Sequence, residues 1–372
     1  VASAVSEFRC ERDLRGAVKL NSAVFKKAAG IAVALLMTLT GTVACRDSRT
    51  VDFGESGNPH IKIMIGGLSK VIYLPGQLAQ QLGAYQRQGL DVELFDQPSG
   101  ANAETSLLAG EVQAVVGFYD HTIDLQAKEQ CITSVVQFAN VPGEAEMVGT
   151  EKAGEIRGGA DFKGRNLGVT SLGSSTDFLT KALASRGGVS SKQYTPVKVG
   201  AGQTFISALD QGSIDAGMTT DPTIAQLTNT GKAKILYDMR TEEGTRAALG
   251  GLYPASSLYM GCEIVQRYPD VVQKLANAFV ETLQWLDKHS AEEVAAKMPP
   301  SFAGGDTALY VKSLKDSLPM FTSDGRMDPA GAQNVLNVLG ESSSNVKPRK
   351  DKIDLSKTYT TRFVDAAKAS TD

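Results

Sequence analysis

Six short stretches of this 372-residue chain concentrate the residue types that hold a small polar molecule without transforming it. In the first half they are Gly66-Gly67-Leu68-Ser69-Lys70, Ser99-Gly100-Ala101-Asn102 and Phe118-Tyr119-Asp120-His121. In the second they are Ser171-Leu172-Gly173-Ser174-Ser175-Thr176, Gly202-Gln203-Thr204 and Thr219-Thr220-Asp221. Glycine lets a backbone approach a ligand, and Ser and Thr hydroxyls add donors with little bulk. Where such a stretch opens a helix, the free N–H groups of the first turn and the helix dipole favour an anion. The candidate ligand-binding residues are Ser69, Lys70, Tyr73, Ser99, Gly100, Tyr119, His121, Gly173, Ser174, Ser175, Thr176, Gln203, Thr220 and Tyr253. Lys70 would supply a full positive charge, and Tyr73, Tyr119 and Tyr253 an aromatic wall. Acid–base catalysis has less support. Asp120 and Asp221 each open a helix and read as caps, with Pro222 suited to a first-turn position whose N–H has no partner anyway. No C-x-x-C or His/Cys cluster suggests a metal, and no cofactor is expected.

The elements that must position these stretches are written twice. LLAGEVQAVVGFYDHTI (107–123) parallels ALDQGSIDAGMTTDPTI (208–224), with Gly110 against Gly212 and Ala114 against Ala216. Upstream, 61–94 and 166–199 both read as strand, Gly-rich loop, helix and second strand. Each copy is a run of alternating strands and helices, the pattern of parallel βαβ units with right-handed crossovers. A period of about a hundred residues exceeds that of solenoid repeats, so two α/β lobes are expected. Ligands of open α/β sheets bind beyond the carboxyl ends of the strands, and two facing lobes place two such edges around one cleft.

The rest of the chain frames that pair. A net charge of −3 leaves no basic footprint for nucleic acid. Lys26-Lys27 precede an apolar run, 28–44, ending in Ala44-Cys45, the layout of a signal peptide with a lipidated cysteine after the cleavage site. The expected organisation is 1–44, an over-extended start plus signal peptide; 45–59, a flexible tether; 60–152, the first segment of lobe 1; 153–250, lobe 2; and 251–372, a return crossing and C-terminal helices on lobe 1. The two crossings are expected near 148–159 and 247–260. Cys131 and Cys262 are expected as buried free thiols, although a secreted protein permits a bridge. Val272, Leu275, Ala276, Phe279, Leu283 and Leu286 recur at helical spacing, with Trp285 at the margin of that stripe.

The order of Ala79, Gly83, the Gly89-Leu90-Asp91-Val92 run, LLAGEVQAVVGFYDHTIDLQAK and FKGRNLGVTSLGSSTDF resembles the nitrate/sulfonate/taurine-type solute-binding proteins of ABC importers. The resemblance implies a two-lobed periplasmic-binding-protein fold of type II-like connectivity, with two crossing segments as a hinge. It implies a non-enzymatic monomer that captures a small anion, such as nitrate, a sulfonate, taurine, bicarbonate or an organic acid. Its partners would be an ABC permease and, through it, an ATPase. Its place would be periplasmic or at the cell surface, anchored by a lipid on Cys45, with a soluble periplasmic protein as the alternative. A neutral heterocycle such as a thiamine pyrimidine precursor stays open as ligand because of the three tyrosines. Same-fold synthases of that precursor rely on a cysteine-rich motif and a catalytic histidine, and the cleft stretches here contain no cysteine.

Overall fold

A computed structural model describes residues 58–367. The signal-like run, Cys45 and nearly all of the 45–59 tether lie outside the described residues. Ten strands form two sheets: β1 (His60–Ile65), β2 (Asp91–Asp96), β3 (Ala114–Phe118), β4 (Ile132–Gln137), β5 (Glu144–Gly149), β6 (Asn166–Val169), β7 (Thr195–Lys198), β8 (Ala216–Thr220), β9 (Ala233–Asp238) and β10 (Ser256–Gly261). The first sheet has the order β2-β1-β3-β10-β4 and the second β7-β6-β8-β5-β9. Matching the repeats pairs β1 with β6, β2 with β7 and β3 with β8, and the two orders then coincide. The central β3, AVVGF, is buried throughout, as a strand covered on both faces must be. Pro196, which lacks a ladder donor, sits in β7 at the edge of its sheet.

The odd strand in each sheet is the first one after a crossing. β5 pairs antiparallel with β8 and β9, and β10 antiparallel with β3 and β4. The outbound crossing is therefore the stretch between β4 and β5, upstream of the expected 148–159, and residues 144–149 belong to the second lobe. Strand propensity alone could not place them, because an antiparallel insert leaves no trace in a βαβ repeat. Each inserted strand also carries one bulge, between Leu258 and Tyr259 and between Glu146 and Met147.

Helix Pro269–Lys288 lays its apolar stripe on lobe 1, where Phe279 meets Tyr85 edge-on at 5.6 Å and Phe138 at 4.9 Å. Trp285 is at the margin, stacked on His289 at 3.8 Å. Two later helices also reach the second lobe. Helix Thr307–Ser317 packs on helix Thr223–Asn229, and helix Pro329–Ser342 packs on both Ser175–Arg186 and Asp120–Ala127. The expectation of free thiols is overturned: Cys131 and Cys262 form a disulfide with Cα atoms 5.4 Å apart. They flank β4 and β10, whose antiparallel pairing brings Gly261 opposite Ile132. That pairing, invisible in the sequence, supplies the geometry a bridge needs.

Candidate functional site

The carboxyl ends of both sheets face each other, and side chains meet directly across the junction. Asp120 follows β3 and is fully buried. Its Oδ1 accepts from Ser175 Oγ of the second lobe at 2.8 Å, and its Oδ2 from the Tyr253 hydroxyl of the return crossing at 2.9 Å. The expectation of a simple cap is therefore corrected: the His121 amide reaches this carboxylate, but its two oxygens are taken by Ser175 of the second lobe and Tyr253 of the return crossing. Burial pushes its pKa up to about 7, against the pull of the two hydroxyls.

His121 is equally buried. Nε2 lies 3.4 Å from Ser175 Oγ, and Nδ1 lies 3.4 Å from the Tyr259 hydroxyl and 3.3 Å from Glu104 Oε2. The ring is seated on Gly100, where an added Cβ would come within 2.8 Å of His121 Cε1. Gly100 thus serves the histidine by leaving room for it. Burial lowers the His121 pKa to about 4, so the imidazole is neutral at pH 7. Burial raises Glu104 to about 7, partly offset by Lys128.

Beside this group lies a second one, between Lys70 and Glu144. Lys70 Nζ donates to the carbonyls of Gly66 at 2.7 Å and Pro98 at 3.1 Å, and burial lowers its pKa to about 8. Glu144 opens β5 opposite Thr220 and is buried. Its Oε2 has no hydrogen-bond partner. Burial and then the nearby Asp120 charge hold its carboxyl well above the usual range, with Lys70 opposing. The Val71 amide donates to the Asp221 carbonyl at 3.0 Å, a further link between the lobes.

The other nominated residues divide. Tyr73 is buried beside Lys70 and edge-on to Phe118. Ser174 and Thr176 bond Thr170 within their own loop, with Gly173 at φ 80° beside them. Thr220 Oγ1 donates to the Gly143 carbonyl at 3.0 Å, joining β8 to the outbound crossing. Ser99 caps its helix through the Asn102 amide. Tyr119 turns its hydroxyl away to Thr358 at 2.6 Å. Ser69 and Gln203 are exposed and are not gathered into the buried group. Asp221 accepts from the Ala225 amide as a cap would, and its Oδ2 also takes Arg240 at 3.0 Å and Ser317 at 2.9 Å.

Glu144, Glu104, Tyr259 and Arg240 were missed from sequence. Only Glu144 left a signal: with Glu146 it places two carboxylates at alternate positions of an otherwise apolar strand, EAEMVG. The assembled group offers carboxylates, hydroxyls, a neutral imidazole and one lysine as its polar groups.

Similarity to known proteins agrees with this architecture. A structure from Bordetella bronchiseptica RB50 is 31% identical, covers 82% of this chain and 96% of its own, and superposes with a TM-score of 0.79. The alkanesulfonate-binding protein of Xanthomonas axonopodis pv. citri, solved with MOPS bound, has the same fold at 16% identity, with a TM-score of 0.64 over 82% of this chain and 100% of its own. A 4-amino-5-hydroxymethyl-2-methylpyrimidine phosphate synthase of Schizosaccharomyces pombe is 27% identical over 146 residues, 39% of this chain. That match spans only 40% of the synthase's length. The NMT1/THI5-like family model matches residues 73–293, more than half of the chain and most of both sheets, so this chain belongs to the NMT1/THI5-like family.

Proposed function

We propose that the chain is the extracytoplasmic solute-binding component of an ABC importer, enclosing a small polar solute between its lobes and handing it to a permease. The observation that carries this reading is the buried Ser175–Asp120 contact, in which the two lobes meet through groups able to exchange each other for a ligand. The chemistry is binding. His121 is neutral and enclosed by Ser175, Tyr259 and Glu104. The solute class named first by the sequence is a small anion, in keeping with the sulfonate-binding neighbour. The buried Asp120 and Glu144 carboxylates favour the second class, a heterocycle that donates hydrogen bonds. Lipidation of Cys45 would hold the protein at the membrane, because several acyl chains anchor firmly where one does not.

A thermal-shift and calorimetric screen of nitrate, sulfonates, bicarbonate, aromatic acids and pyrimidines tests the binding role. One class should raise the melting temperature, and Ser175→Ala should weaken that solute by roughly ten- to a hundredfold, the worth of a hydrogen bond in a buried site. Turnover of a pyrimidine precursor, rather than its binding, would replace this reading with that of a synthase.

A further inference from the structure

Resting on that reading of the cleft, we propose that Glu144 makes the site selective for solutes carrying a protonated nitrogen, such as an amidine, an amine or an aminated heterocycle, against oxyanions. The argument is one of complementarity. Glu144 is 3% exposed and its Oε2 lacks any partner, a costly state for an acceptor unless a donor arrives. Asp120 stands close enough to Glu144 for their charges to oppose each other. Among the described residues, Lys70 is the one cation acting on Glu144, and its ammonium is already turned onto the Gly66 and Pro98 carbonyls.

The centre is therefore rich in acceptors and short of one positive charge. An oxyanion brings only further acceptors and negative charge, so Glu144 could meet it only as the protonated acid. A protonated nitrogen brings both missing quantities. It can satisfy Glu144 with one N–H and take the Asp120 oxygen that Ser175 holds at 2.8 Å. Charge-assisted bonds of this kind are the strong class. The Ser and Thr hydroxyls of the surrounding loops then serve as acceptors as readily as donors.

The test is calorimetry on wild type, Glu144→Gln, Lys70→Met and Ser175→Ala. The probes are benzamidine and 4-aminopyridine as cations, and nitrate and methanesulfonate as oxyanions. At least one cation should bind wild type. Its affinity should fall roughly ten- to a hundredfold in Glu144→Gln and hold or rise in Lys70→Met. Glu144→Gln should melt no lower than wild type, since the change removes a buried unpaired carboxyl. If that variant does not fold, Lys70→Met decides by sign: a tenfold weaker cation overturns the proposal. Failure of both cations to bind overturns it too. So does an oxyanion that binds wild type and binds Glu144→Gln as tightly or more tightly. If that oxyanion is weakened by Ser175→Ala, the cleft stands and only the selection rule falls. Binding indifferent to both Ser175→Ala and Glu144→Gln would remove the cleft assignment itself.

Discussion

Asp120 and Asp221 occupy matched places in the repeated sequence, each after the third strand of its lobe and each at the start of a helix. Their surroundings differ in one respect that decides their roles. Asp221 has a buried cation, Arg240, which Asp238 and Asp316 also grip, and it has the Ala225 amide and Ser317. Among the described residues Asp120 has no cation against its oxygens: they meet the hydroxyls of Ser175 and Tyr253, the His121 amide and, at 3.8 Å, the neutral His121 Nε2. The first is a filled structural junction. The second is held by neutral partners that belong to different lobes and can be exchanged. Duplication supplied one aspartate to each lobe, and the neighbours it acquired made one a rivet and left the other available.

The largest effect should come from breaking the rivet. Asp221→Ala removes one partner of a buried ion pair, which typically costs about 3 kcal/mol or more, at the lower end here because Arg240 keeps Asp238. Denaturant unfolding should show this loss, with solute affinity changed little once the folded fraction is accounted for. A large affinity loss with normal unfolding would make Asp221 a ligand contact and erase the contrast.

Asp120→Asn should do the reverse. The amide can still accept from one hydroxyl, so the melting temperature should hold or rise. Affinity for a cationic solute should drop about tenfold or more, as expected when a charged acceptor is lost. Calorimetry beside a melting curve reads both.

The smallest effect is a slope. Asp120 has a folded pKa of about 7 against an ordinary 3.8, so the folded state keeps a proton that the unfolded chain releases. That contribution is complete below the ordinary value and is lost as pH rises through about 7. Ser175, Tyr253 and His121 face this carboxyl, with Asp124 and Glu144 nearby. Glu104, raised to about 7, and Glu146, raised to about 8, act in the same direction. His121, lowered to about 4 from 6.5, opposes them only below its ordinary value. The melting temperature should therefore fall between pH 6.5 and about 8, and fall less in Asp120→Asn. Equal slopes in Asp120→Asn and wild type would assign the fall to Glu104, Glu144 and Glu146.

Much of this was legible in the sequence because it is local. Strand and helix periods, glycine-rich turns and the doubled order of elements are set by neighbours along the chain, so the two lobes and the loops that follow their strands could be read directly. What could not be read depends on partners far apart in sequence. The Cys131–Cys262 bridge needs β4 beside β10, a pairing between residues more than a hundred positions apart. Glu144 stands out in an otherwise apolar stretch, but its place at the lobe junction is fixed only once β5 is seen inserted between β8 and β9. Ser69 and Gln203 have the right chemistry and the right loops, yet they are exposed. A loop's composition does not fix which of its side chains turns inward.

The strands that follow the crossings also set an order of completion for a chain that emerges from its N-terminus. The second sheet takes all its strands from one continuous stretch, Glu144 to Asp238. The first sheet collects β1 to β4 early, but β10 must lie between β3 and β4, and it ends only at Gly261. Until then β3 and β4 have unpaired edges facing an unfilled gap, and such edges are what recruit other chains. The later lobe can close while the earlier one still waits. The half synthesised first is the half finished last, so a pause in synthesis once Asp238 has left the ribosome would expose lobe 1 and spare lobe 2.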